Sequence, residues 1–386
     1  MDQDEVFMGR AFTLAQKGMY TTAPNPSVGC VIVKDNKIIS EGYHHKAGDH
    51  HAEIDAMSKL SLEELKGSTA YVTLEPCSHT GLTPPCAKAL VKAQVKRVVC
   101  EMLDPNPLVS GNGIRILKEA GIETLVLNSD ISLKLKELNR YFLHSMIYSK
   151  PYLTLKVGMS LDGKIALKSK ESKWITSQES RQDVQRLRAL NQAILTTSAT
   201  IKADNPSLSF RYDELSDKVK ENYPKELARN LTKVILDPKE EITGNENIFK
   251  TPGNVILVRL SKEPKISEEK FLENSIILRV PAEENSSHID LNLLLNELHQ
   301  RRIRSVLVEA GGRFVGELIN KNLVDELVVY LAPKLLGREA LTAFNFSSPK
   351  LLKDAKEFTL NDTQTIGNDI RLTYRKIVKD DKCLQE

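Results

Sequence analysis

Short runs rich in valine and isoleucine alternate with segments of helical periodicity along most of the chain, and this alternation constrains the fold more than any other feature. Over the first 125 residues, strand candidates such as VGCVIVK, KIISEGY and STAYVTL alternate with helix candidates such as HAEIDAMSKL and GIRILKEAG. Such alternation predicts a sheet covered by helices, which is an α/β layer structure. The polar turn KDNK predicts an antiparallel hairpin between the first two strands. We expect the remaining strands to be parallel.

A break at YSKPY, which contains Pro151, separates two runs of this alternation. Before the break, residues 130–147 predict one helix; after it, the alternation restarts with YLTLKVGM and ends in two antiparallel strands, KEFTLNDTQTIG and DIRLTYRKIV. A chain of 386 residues is longer than one average domain. We therefore expect domains at residues 1–147 and 150–378, followed by a polar tail at 379–386. The polar stretches 212–230 and 238–254 are expected to form surface insertions.

Composition and charge exclude several classes of protein. Apolar residues make up 41% of the chain and charged residues 27%, which is typical of a globular protein. The net charge is +3 and no long basic block occurs, so the sequence does not predict binding to nucleic acid. The start, MDQDEVF, does not resemble a signal peptide, and no apolar run has the length needed to cross a bilayer. We expect a cytoplasmic protein without a membrane partner.

Three residues with zinc-ligating side chains lie at predicted element boundaries. His51 opens a helix two residues before Glu53, Cys77 follows a strand, and Cys86 opens another helix. Three protein ligands leave a fourth position for water, which is typical of catalytic zinc rather than structural zinc. Glu53 can then move protons between this water and departing ammonia without ligating the metal. A His-x-Glu pattern followed by Pro-Cys and a second cysteine is typical of zinc-dependent deaminases.

Other interpretations of these residues remain open. The two cysteines are nine positions apart, so they can be ordinary thiols or half of a closed structural site completed by His79 or His50. Further histidines stand nearby, and it is the spacing to Glu53 that favours His51. Cys30 and Cys100 lie in apolar strand candidates and are expected to be buried. The pairs Asn-Pro at 25–26 and Asp-Pro at 104–105 suit turns as well as substrate contacts.

The second half contains no G-x-G-x-x-G motif, so a Rossmann site is not predicted. The string SVLVEAGGRFVGELI predicts a strand, a glycine pair and a helix start, where backbone N–H groups can meet phosphate. The same glycine pair can equally form a tight turn. Arginines near 186–211 suit phosphate because guanidinium donors are forked, although Arg186 and Arg188 also fit a solvated helix face. The only tryptophan, Trp174, stands in a polar stretch, where core or hinge positions are more common than ligand platforms.

Four strings of the first half closely resemble the deaminase half of the bifunctional deaminase/reductase family of riboflavin biosynthesis: TTAPNPSVGCVIV, GYHHKAGDHHAE, YVTLEPCSHTGLTPPC and DPNPLVSGNG. The resemblance covers nearly all of residues 1–145. It implies a cytidine-deaminase-like three-layer α/β/α domain with one zinc ion held by His51, Cys77 and Cys86, and with Glu53 as proton donor. It also implies that Asn25 holds the pyrimidine. The remaining implied residues line the site or reach the ribose phosphate: His44, His79, Asp104 and Asn106.

The strings LKVGMSLDGKIA, SKWITS and SVLVEAGGRFVGELI resemble the reductase half of the same family, over residues 150–378. This resemblance implies a dihydrofolate-reductase-like α/β fold and hydride transfer from NADPH. The residues implied to meet NADPH are Gly158, Trp174, Thr200, Asp204, Gly311, Gly312, Arg313, Phe314, Val315, Gly316 and Glu317. Those implied to meet the phosphorylated substrate are Ser172, Arg188, Leu208, Arg211 and Glu309, with Lys156 near the hydride path.

Five positions depart from the family pattern. His50 stands where proline is common, and Leu82 replaces a lysine or arginine, which removes a possible phosphate contact. Relatives often have alanine at Gly158 and glycine at Thr197 and Ala199, so the loop that follows the strand QAILTT is expected to differ in shape.

The implied function is that of an enzyme with two sites. One site hydrolytically deaminates 2,5-diamino-6-(5-phosphoribosylamino)pyrimidin-4(3H)-one, and the other uses NADPH to reduce the ribosyl chain to ribityl. The expected partners are phosphorylated pyrimidines and further copies of the chain, as a dimer or tetramer. The alternative is a zinc deaminase acting on a nucleic-acid base with a C-terminal binding module, which the lack of a basic stripe disfavours. A structural zinc protein would need four protein ligands and would give Glu53 no role.

Overall fold

A computed structural model of the protein describes residues 3–78, 85–106 and 110–377. The chain divides into two compact units. The first unit contains Met1–Lys150 and Asp217–Arg229, and the second contains Pro151–Ser216 and Asn230–Glu386. Part of the polar stretch 212–230 therefore belongs with the first unit, although it lies in the sequence of the second half. The expected tail at 379–386 falls outside the described residues.

The first 150 residues contain seven helices and five strands among those the structure describes. The helices are α1 (Gln3–Gln16), α2 (Ala52–Met57), α3 (Leu62–Leu65), α4 (Cys86–Lys92), α5 (Asn112–Glu119), α6 (Ile131–Leu138) and α7 (Arg140–Tyr148). The strands are β1 (Gly29–Lys34), β2 (Lys37–Tyr43), β3 (Thr69–Val72), β4 (Arg97–Cys100) and β5 (Glu123–Val126).

The sheet of the first unit has the strand order β2-β1-β3-β4-β5. Strand β1 runs antiparallel to both β2 and β3, while β3, β4 and β5 are parallel to one another. The predicted hairpin is confirmed: Asp35 and Asn36 have φ values of 49° and 58°, which suit a tight turn whose twist matches the strands. The expectation of parallel strands holds for β3 to β5 but not for the pairing of β3 with β1.

Alternate residues of β1 face two separate hydrophobic clusters, so helices cover both faces of the sheet. Cys30 and Ile32 pack in the cluster that contains residues of α2, α4 and α5, and Val31 and Val33 pack in the cluster that contains residues of α1. The period of two along a strand sends successive side chains to opposite faces. The predicted three-layer α/β/α architecture is confirmed.

The single helix predicted over residues 130–147 is wrong, because the chain forms two helices that meet at Asn139. The side chain of Asn139 pairs with the backbone of Ser27: its Oδ1 accepts from Ser27 N at 2.7 Å and its Nδ2 donates to Ser27 O at 3.0 Å. Ser27 lies in the segment just before β1. The helix break therefore anchors the segment that carries Asn25.

The second half of the chain adds twelve strands and five helices within the described residues. The strands are β6 (Tyr152–Ser160), β7 (Lys164–Ala166), β8 (Ala193–Thr197), β9 (Thr232–Leu236), β10 (Val255–Leu260), β11 (Ser267–Leu272), β12 (Ser275–Val280), β13 (Ser305–Val308), β14 (Glu326–Ala332), β15 (Leu341–Thr342), β16 (Phe358–Ile366) and β17 (Asp369–Lys376). The helices are α8 (Gln178–Leu190), α9 (Ser198–Asp204), α10 (Asp217–Lys220), α11 (Leu291–Gln300) and α12 (Gly312–Asn320).

Ten of these strands form one sheet in the order β11-β12-β10-β9-β8-β13-β6-β14-β17-β16. The strands from β12 to β14 in this order pair in parallel, and β11, β17 and β16 pair in antiparallel fashion, as predicted for the last two. On β13, Val306 and Val308 pack in one cluster and Leu307 in another, so both faces are covered. The carboxyl ends of β8, β9 and β13 lie at one edge, where open α/β sheets bind ligands.

Candidate active sites

The three predicted zinc ligands converge in the first unit. Cys77 follows β3, and His51 and Cys86 stand at the starts of α2 and α4. The Nδ1 atom of His51 lies 3.5 Å from Cys77 Sγ and 3.4 Å from Cys86 Sγ, and all three ligand atoms lie within 4.8 Å of one another. Tetrahedral zinc with nitrogen and sulfur ligands at roughly 2.0–2.3 Å requires ligand separations of about 3.6–3.8 Å. The three side chains therefore fit a zinc ion.

The two thiols are too close to ionise together without a cation. The hydrogen bond from Cys86, supported by that from His51, lowers the pKa of the Cys77 thiol against its burial. The same pairing with Cys77, together with burial, raises the pKa of the Cys86 thiol. A divalent cation between the sulfurs would remove this conflict, because metal coordination deprotonates thiols. Among the residues the structure describes, this cluster contains three ligands.

Glu53 is the buried carboxyl group beside this cluster. It lies on the first turn of α2, and only 4% of its surface is exposed. Burial, followed by the neighbouring Cys77 thiolate, raises the pKa of Glu53 to about 7. A bound dication would oppose this rise, since positive charge favours the carboxylate. The side chain is thus placed where it can hold a proton next to the metal ligands.

Hydrogen bonds lead from Asn25 through His44 to the backbone of His50, the residue before the zinc ligand His51. Asn25 Nδ2 lies 3.1 Å from His44 Nε2, and His44 Nδ1 lies 2.9 Å from the carbonyl oxygen of His50. The rings of His44 and His51 meet edge to face, with centroids 5.4 Å apart. Burial lowers the pKa of His44, so its neutral form is favoured. Two residues implied by the family resemblance, Asn25 and His44, therefore lie together with the zinc ligand His51.

Glu75 is a site residue that the sequence analysis did not predict. Its buried carboxylate accepts from four backbone N–H groups at the start of α5 and in the loop before it, at 2.8–3.3 Å: those of Asp104, Gly111, Gly113 and Ile114. A carboxylate suits this position because free N–H groups and the helix dipole are both directed at it. The signal available in the sequence was the position of Glu75, two residues before Cys77 at the end of a strand.

Glu75 positions the loop that carries Asp104 and Asn106. Asp104 is buried, and its Oδ1 accepts from the backbone N–H of Asn106 at 2.9 Å. Burial, and then the nearby Glu75 and Cys77, raise the pKa of Asp104 to about 6. His79 and Leu82 lie outside the described residues. His50, a possible fourth ligand, is exposed and its backbone rather than its ring takes part in the hydrogen-bond chain.

The second unit contains a cavity of about 1240 Å³. It opens at the carboxyl ends of β8, β9 and β13, and it is large enough for a dinucleotide together with a second ligand. It brings together sixteen of the residues that the resemblance implies for this half: Lys156, Gly158, Ser172, Trp174, Arg188, Thr200, Asp204, Leu208, Arg211, Glu309, Gly311, Gly312, Arg313, Phe314, Val315 and Glu317.

Gly316 is the implied cofactor residue that does not line this cavity. A Cβ atom at Gly316 would lie 2.2 Å from the carbonyl oxygen of Asn345, so this glycine allows close packing of α12 against that segment. The side chain of Thr197 caps α9, because its hydroxyl accepts from Thr200 N at 3.3 Å. The threonine that stands where relatives often have glycine therefore serves as a helix cap. Trp174 is 62% exposed and carries the guanidinium of Arg181 over its ring at 4.2 Å, so it is not a core residue.

A buried carboxylate with two cations forms part of the cavity wall. Glu309 contacts Arg188 Nε at 2.9 Å and Lys156 Nζ at 3.3 Å, and Arg188 also donates to the carbonyl oxygen of Ser209 at 2.8 Å. Burial alone would raise the pKa of Glu309, but the charges of Arg188 and Lys156 outweigh it and hold that pKa at about 2. The group carries one net positive charge toward the cavity, which suits an anionic ligand.

Comparison with known protein families assigns each half. The family model for the cytidine and deoxycytidylate deaminase zinc-binding region matches residues 1–102, and the model for the RibD C-terminal domain matches residues 151–372. The riboflavin biosynthesis protein RibD of Escherichia coli strain K12 is 44% identical over 370 residues, which cover 96% of this chain and 98% of that protein. The RibD protein of Haemophilus influenzae is 46% identical over 374 residues, with 96% and 97% covered.

Solved structures of similar proteins agree over both halves. Acinetobacter baumannii RibD superposes with a TM-score of 0.85 at 39% identity, covering 97% of this chain and 99% of that chain. A diaminohydroxyphosphoribosylaminopyrimidine deaminase/5-amino-6-(5-phosphoribosylamino)uracil reductase from Thermotoga maritima gives 0.80 at 31% identity, covering 97% and 99%. The chain therefore belongs to the RibD family, the bifunctional enzymes of riboflavin biosynthesis that join a zinc-binding deaminase domain to an NADPH-dependent reductase domain.

Proposed function

We propose that the first unit removes the 2-amino group of 2,5-diamino-6-(5-phosphoribosylamino)pyrimidin-4(3H)-one by hydrolysis, with Glu53 as the catalytic acid and base. The observation that carries this assignment is the cluster of His51, Cys77 and Cys86 with a buried carboxyl group beside it. When bound, zinc activates water for attack on the amino-bearing carbon. A cluster of three protein ligands suits a catalytic zinc site, whereas a structural zinc site uses four protein ligands.

Proton movement in this unit is assigned to Glu53. Its side chain takes a proton from the attacking water and returns one to the departing nitrogen, so ammonia leaves as a neutral molecule. The burial of Glu53 excludes bulk water from this exchange. Its place on the first turn of α2, two residues after His51, fixes the distance between the carboxyl group and the metal ligands.

Substrate recognition in the first unit is assigned to Asn25, His44, Asp104 and Asn106. The amide of Asn25 offers a donor and an acceptor side by side, which matches the edge of a pyrimidine. His44 orients that amide, because one ring nitrogen lies 3.1 Å from Asn25 Nδ2 and the other lies 2.9 Å from a backbone carbonyl. Asp104 and Asn106 lie on the loop held by Glu75 and are suited to the hydroxyl groups of a ribose.

The second unit is proposed to bind NADPH and the deaminated product together in its cavity. NADPH, when bound, supplies the hydride that reduces the first carbon of the ribosyl chain. The glycine pair Gly311 and Gly312 at the start of α12 presents backbone N–H groups to cofactor phosphate. Arg188 and Lys156, both held by Glu309, face the phosphorylated substrate. The chain's contribution is to align the two ligands and to balance their negative charge.

A coupled assay tests both assignments in the same sample. Glu53→Gln should retain zinc and should lose ammonia release by about 10²–10⁴-fold, the range for removal of a general acid–base group. The same variant should still oxidise NADPH when it is given the deaminated product. Loss of both activities in a variant that keeps its zinc would contradict the assignment of the two reactions to separate units. Unchanged ammonia release would contradict the role of Glu53.

We further propose that the protein acts in the cytoplasm as a homo-oligomer, a dimer or tetramer. Thiolate zinc ligands and a reduced nicotinamide cofactor both suit a reducing compartment. Among the described residues, no helix combines the length and the apolar character that a membrane crossing requires. Light scattering coupled to size-exclusion chromatography measures the assembly, and a monomer at micromolar concentration would contradict this part of the proposal.

A further inference from the structure

The first unit includes a segment that lies far away in the sequence, within the region that matches the reductase family model. Asp217–Arg229 belongs to the first unit by its contacts, although residues 151–372 match the RibD C-terminal domain. The segment begins with the short helix α10 and contains a 3₁₀ turn at Lys225–Leu227. A reductase sequence thus supplies part of the deaminase unit.

Two residues of this segment contact the segment that leads to Asn25. Tyr223 is fully buried and its ring stacks on Tyr20, with centroids 5.2 Å apart and planes inclined by 18°. The hydroxyl of Tyr223 accepts from the backbone N–H of Arg229 at 3.0 Å. Arg229 Nη1 in turn donates to the carbonyl oxygen of Ala23 at 3.4 Å. The segment therefore contacts the chain at Tyr20 and at Ala23.

These contacts lie within five residues of Asn25 along a segment with its own hydrogen bonds. The backbone N–H of Asn25 donates to Thr22 O at 2.9 Å, and the hydroxyls of Thr22 and Ser27 lie 3.0 Å apart. On the other side, Ser27 is fixed by Asn139. The segment Tyr20–Ser27 is thus held at one end by Asn139 and at the other by Tyr223 and Arg229.

Loss of the contacts made by Tyr223 and Arg229 would destabilise the position of the segment Tyr20–Ser27. A stacked aromatic pair is worth roughly 0.5–1.5 kcal/mol beyond the area it buries. Burial lowers the pKa of Arg229, so its guanidinium is held in a poorly hydrated place where lost hydrogen bonds are costly. Removing either residue would leave the segment fixed at Ser27 by Asn139 but would weaken its attachment near Tyr20 and Ala23, where the hydrogen bonds of Thr21 and Thr22 remain.

We propose that Tyr223 and Arg229 are positioning residues for deamination, which hold the Tyr20–Asn25 segment so that Asn25 meets the pyrimidine. This proposal rests on the proposed role of Asn25 in substrate binding. Because an error of about 1 Å in substrate position can cost 10²-fold in rate, a modest shift of Asn25 is enough to matter. The deaminase reaction then depends on residues encoded within the reductase half, so the two halves of the sequence are not independent modules.

The test uses the full-length zinc-loaded protein with Tyr223→Ala and Arg229→Gln. Each variant is expected to lower kcat/KM for ammonia release by about 10- to 100-fold, mainly through KM, while zinc content and NADPH oxidation stay unchanged. The exposed Glu226 lies between these two residues, and Glu226→Ala is the matched control that should behave as the unchanged protein. Tyr223→Phe keeps the ring stack and should lose less than Tyr223→Ala.

A double-mutant cycle with Asn25→Ala separates positioning from general destabilisation. If Tyr223 acts through Asn25, Tyr223→Ala should have little further effect on KM once Asn25 is alanine, so the two losses should not add. Additive losses would overturn the inference, and so would unchanged kcat/KM in Arg229→Gln. If Tyr223→Ala loses zinc, Arg229→Gln and Tyr223→Phe decide, since each keeps the ring stack. If Asn25→Ala alone has no effect, the proposed role of Asn25 fails, and this result is distinct from a failure of the anchor.

Discussion

The two sites differ in how far apart in the sequence their residues lie. In the first unit, the zinc ligands and Glu53 come from two strings, HAE and EPCSHTGLTPPC. The ligand atoms of His51, Cys77 and Cys86 lie within 4.8 Å of one another. In the second unit, the cavity of about 1240 Å³ is lined by residues that range from Lys156 to Asn345. A metal site is fixed by a few bond lengths, whereas a dinucleotide site is a large surface formed by many strand ends.

The sites also differ in how a buried carboxylate is stabilised. Glu75 of the first unit accepts hydrogen bonds from four backbone N–H groups and thereby positions the loop that carries Asp104 and Asn106. Glu309 of the second unit pairs with the charged side chains of Arg188 and Lys156. Backbone donors compensate a carboxylate without adding cations, while charged partners leave a positive excess that can bind phosphate. We infer that the second unit binds its anionic ligand with the charged side chains of Arg188 and Lys156, whereas the first unit obtains its positive charge from the metal ion.

The largest expected effect comes from removing a zinc ligand, which tests whether the two sites are separate. Cys86→Ala should lose zinc and reduce ammonia release to background, because the remaining two ligands do not hold the metal. NADPH oxidation with the deaminated product should persist. Metal analysis and the two activity assays on the same sample give the measurement.

The control for this prediction is Cys100→Ala, which removes a buried thiol of β4 that does not belong to the cluster. This variant should keep zinc, although it loses some packing energy, of about 1 kcal/mol. A Cys86→Ala protein that keeps its full complement of zinc would contradict the ligand assignment.

The converse prediction concerns Arg188 in the second unit. Arg188→Ala leaves Glu309 buried and paired with Lys156, and it removes the shorter of the two ion pairs that the carboxylate makes with Arg188 and Lys156. Truncating one partner of a buried charge pair costs roughly 2–5 kcal/mol, and 2 kcal/mol corresponds to a loss of about 30-fold, so we expect kcat/KM for NADPH oxidation to fall by about 30-fold or more. Ammonia release should not change. The exposed Arg338→Ala serves as the control and should leave both reactions intact.

A smaller effect, on stability rather than activity, is expected at Asp183 of α8. Its carboxylate contacts Arg186 Nε at 2.7 Å, Arg371 Nη1 at 2.9 Å and the hydroxyl of Tyr330 at 2.6 Å. Burial would raise the pKa of Asp183, but these partners hold it at about 2. Because the folded pKa lies below the unfolded value, this contribution is present above about pH 4 and is lost as the pH falls toward 2.

Asp183→Asn should therefore lower the free energy of unfolding by about 2–3 kcal/mol at pH 7 and by clearly less at pH 3. The measurement is urea unfolding followed by the fluorescence of Trp174, which is the only tryptophan in the sequence and lies in the second unit. The exposed Asp354→Asn is the control and should change stability at neither pH. An equal loss at both pH values would show that packing, not charge, is responsible.

The sequence predicts features that depend on local patterns, and it does not predict features that depend on contacts between distant residues. The hairpin at Asp35 and Asn36 and the alternation of strands and helices follow from local patterns, and both are confirmed. The break at Asn139 was missed because it depends on a side chain pairing with Ser27, which is 112 positions away. The membership of Asp217–Arg229 in the first unit was missed for the same reason, since a polar composition does not reveal the buried ring of Tyr223.

The cavity of the second unit shows a similar limit at the level of single residues. The family resemblance implies a continuous run from Gly311 to Glu317 for the cofactor, yet a helix presents only part of each turn to one side. Gly316 accordingly packs against Asn345. Spacing along the sequence could indicate the helix, but the face it presents depends on the segment that covers it.

The smallest expected effect is that of Gly158→Ala, at a position where relatives often carry alanine. An added Cβ would lie 3.2 Å from Cγ2 of Thr176, a side-chain methyl that needs to move by only a few tenths of an ångström. Alanine in a strand also costs less conformational entropy than glycine, by about 0.5–1 kcal/mol. We expect KM for NADPH and kcat to change by less than about threefold, and stability to stay the same or rise slightly.

The contrasting variant is Gly316→Ala, because there the Cβ would lie 2.2 Å from a backbone oxygen rather than a side chain. Backbone of a packed segment cannot rotate away, so this variant should lose about 1–3 kcal/mol of stability by overpacking. Thermal unfolding of both variants followed by Trp174 fluorescence, with steady-state kinetics in NADPH, makes the comparison. Greater damage from Gly158→Ala than from Gly316→Ala would contradict this prediction. It would show that the cofactor approaches the backbone of Gly158 more closely than the side chain of Thr176 does, so that the cavity has no room for an added methyl group.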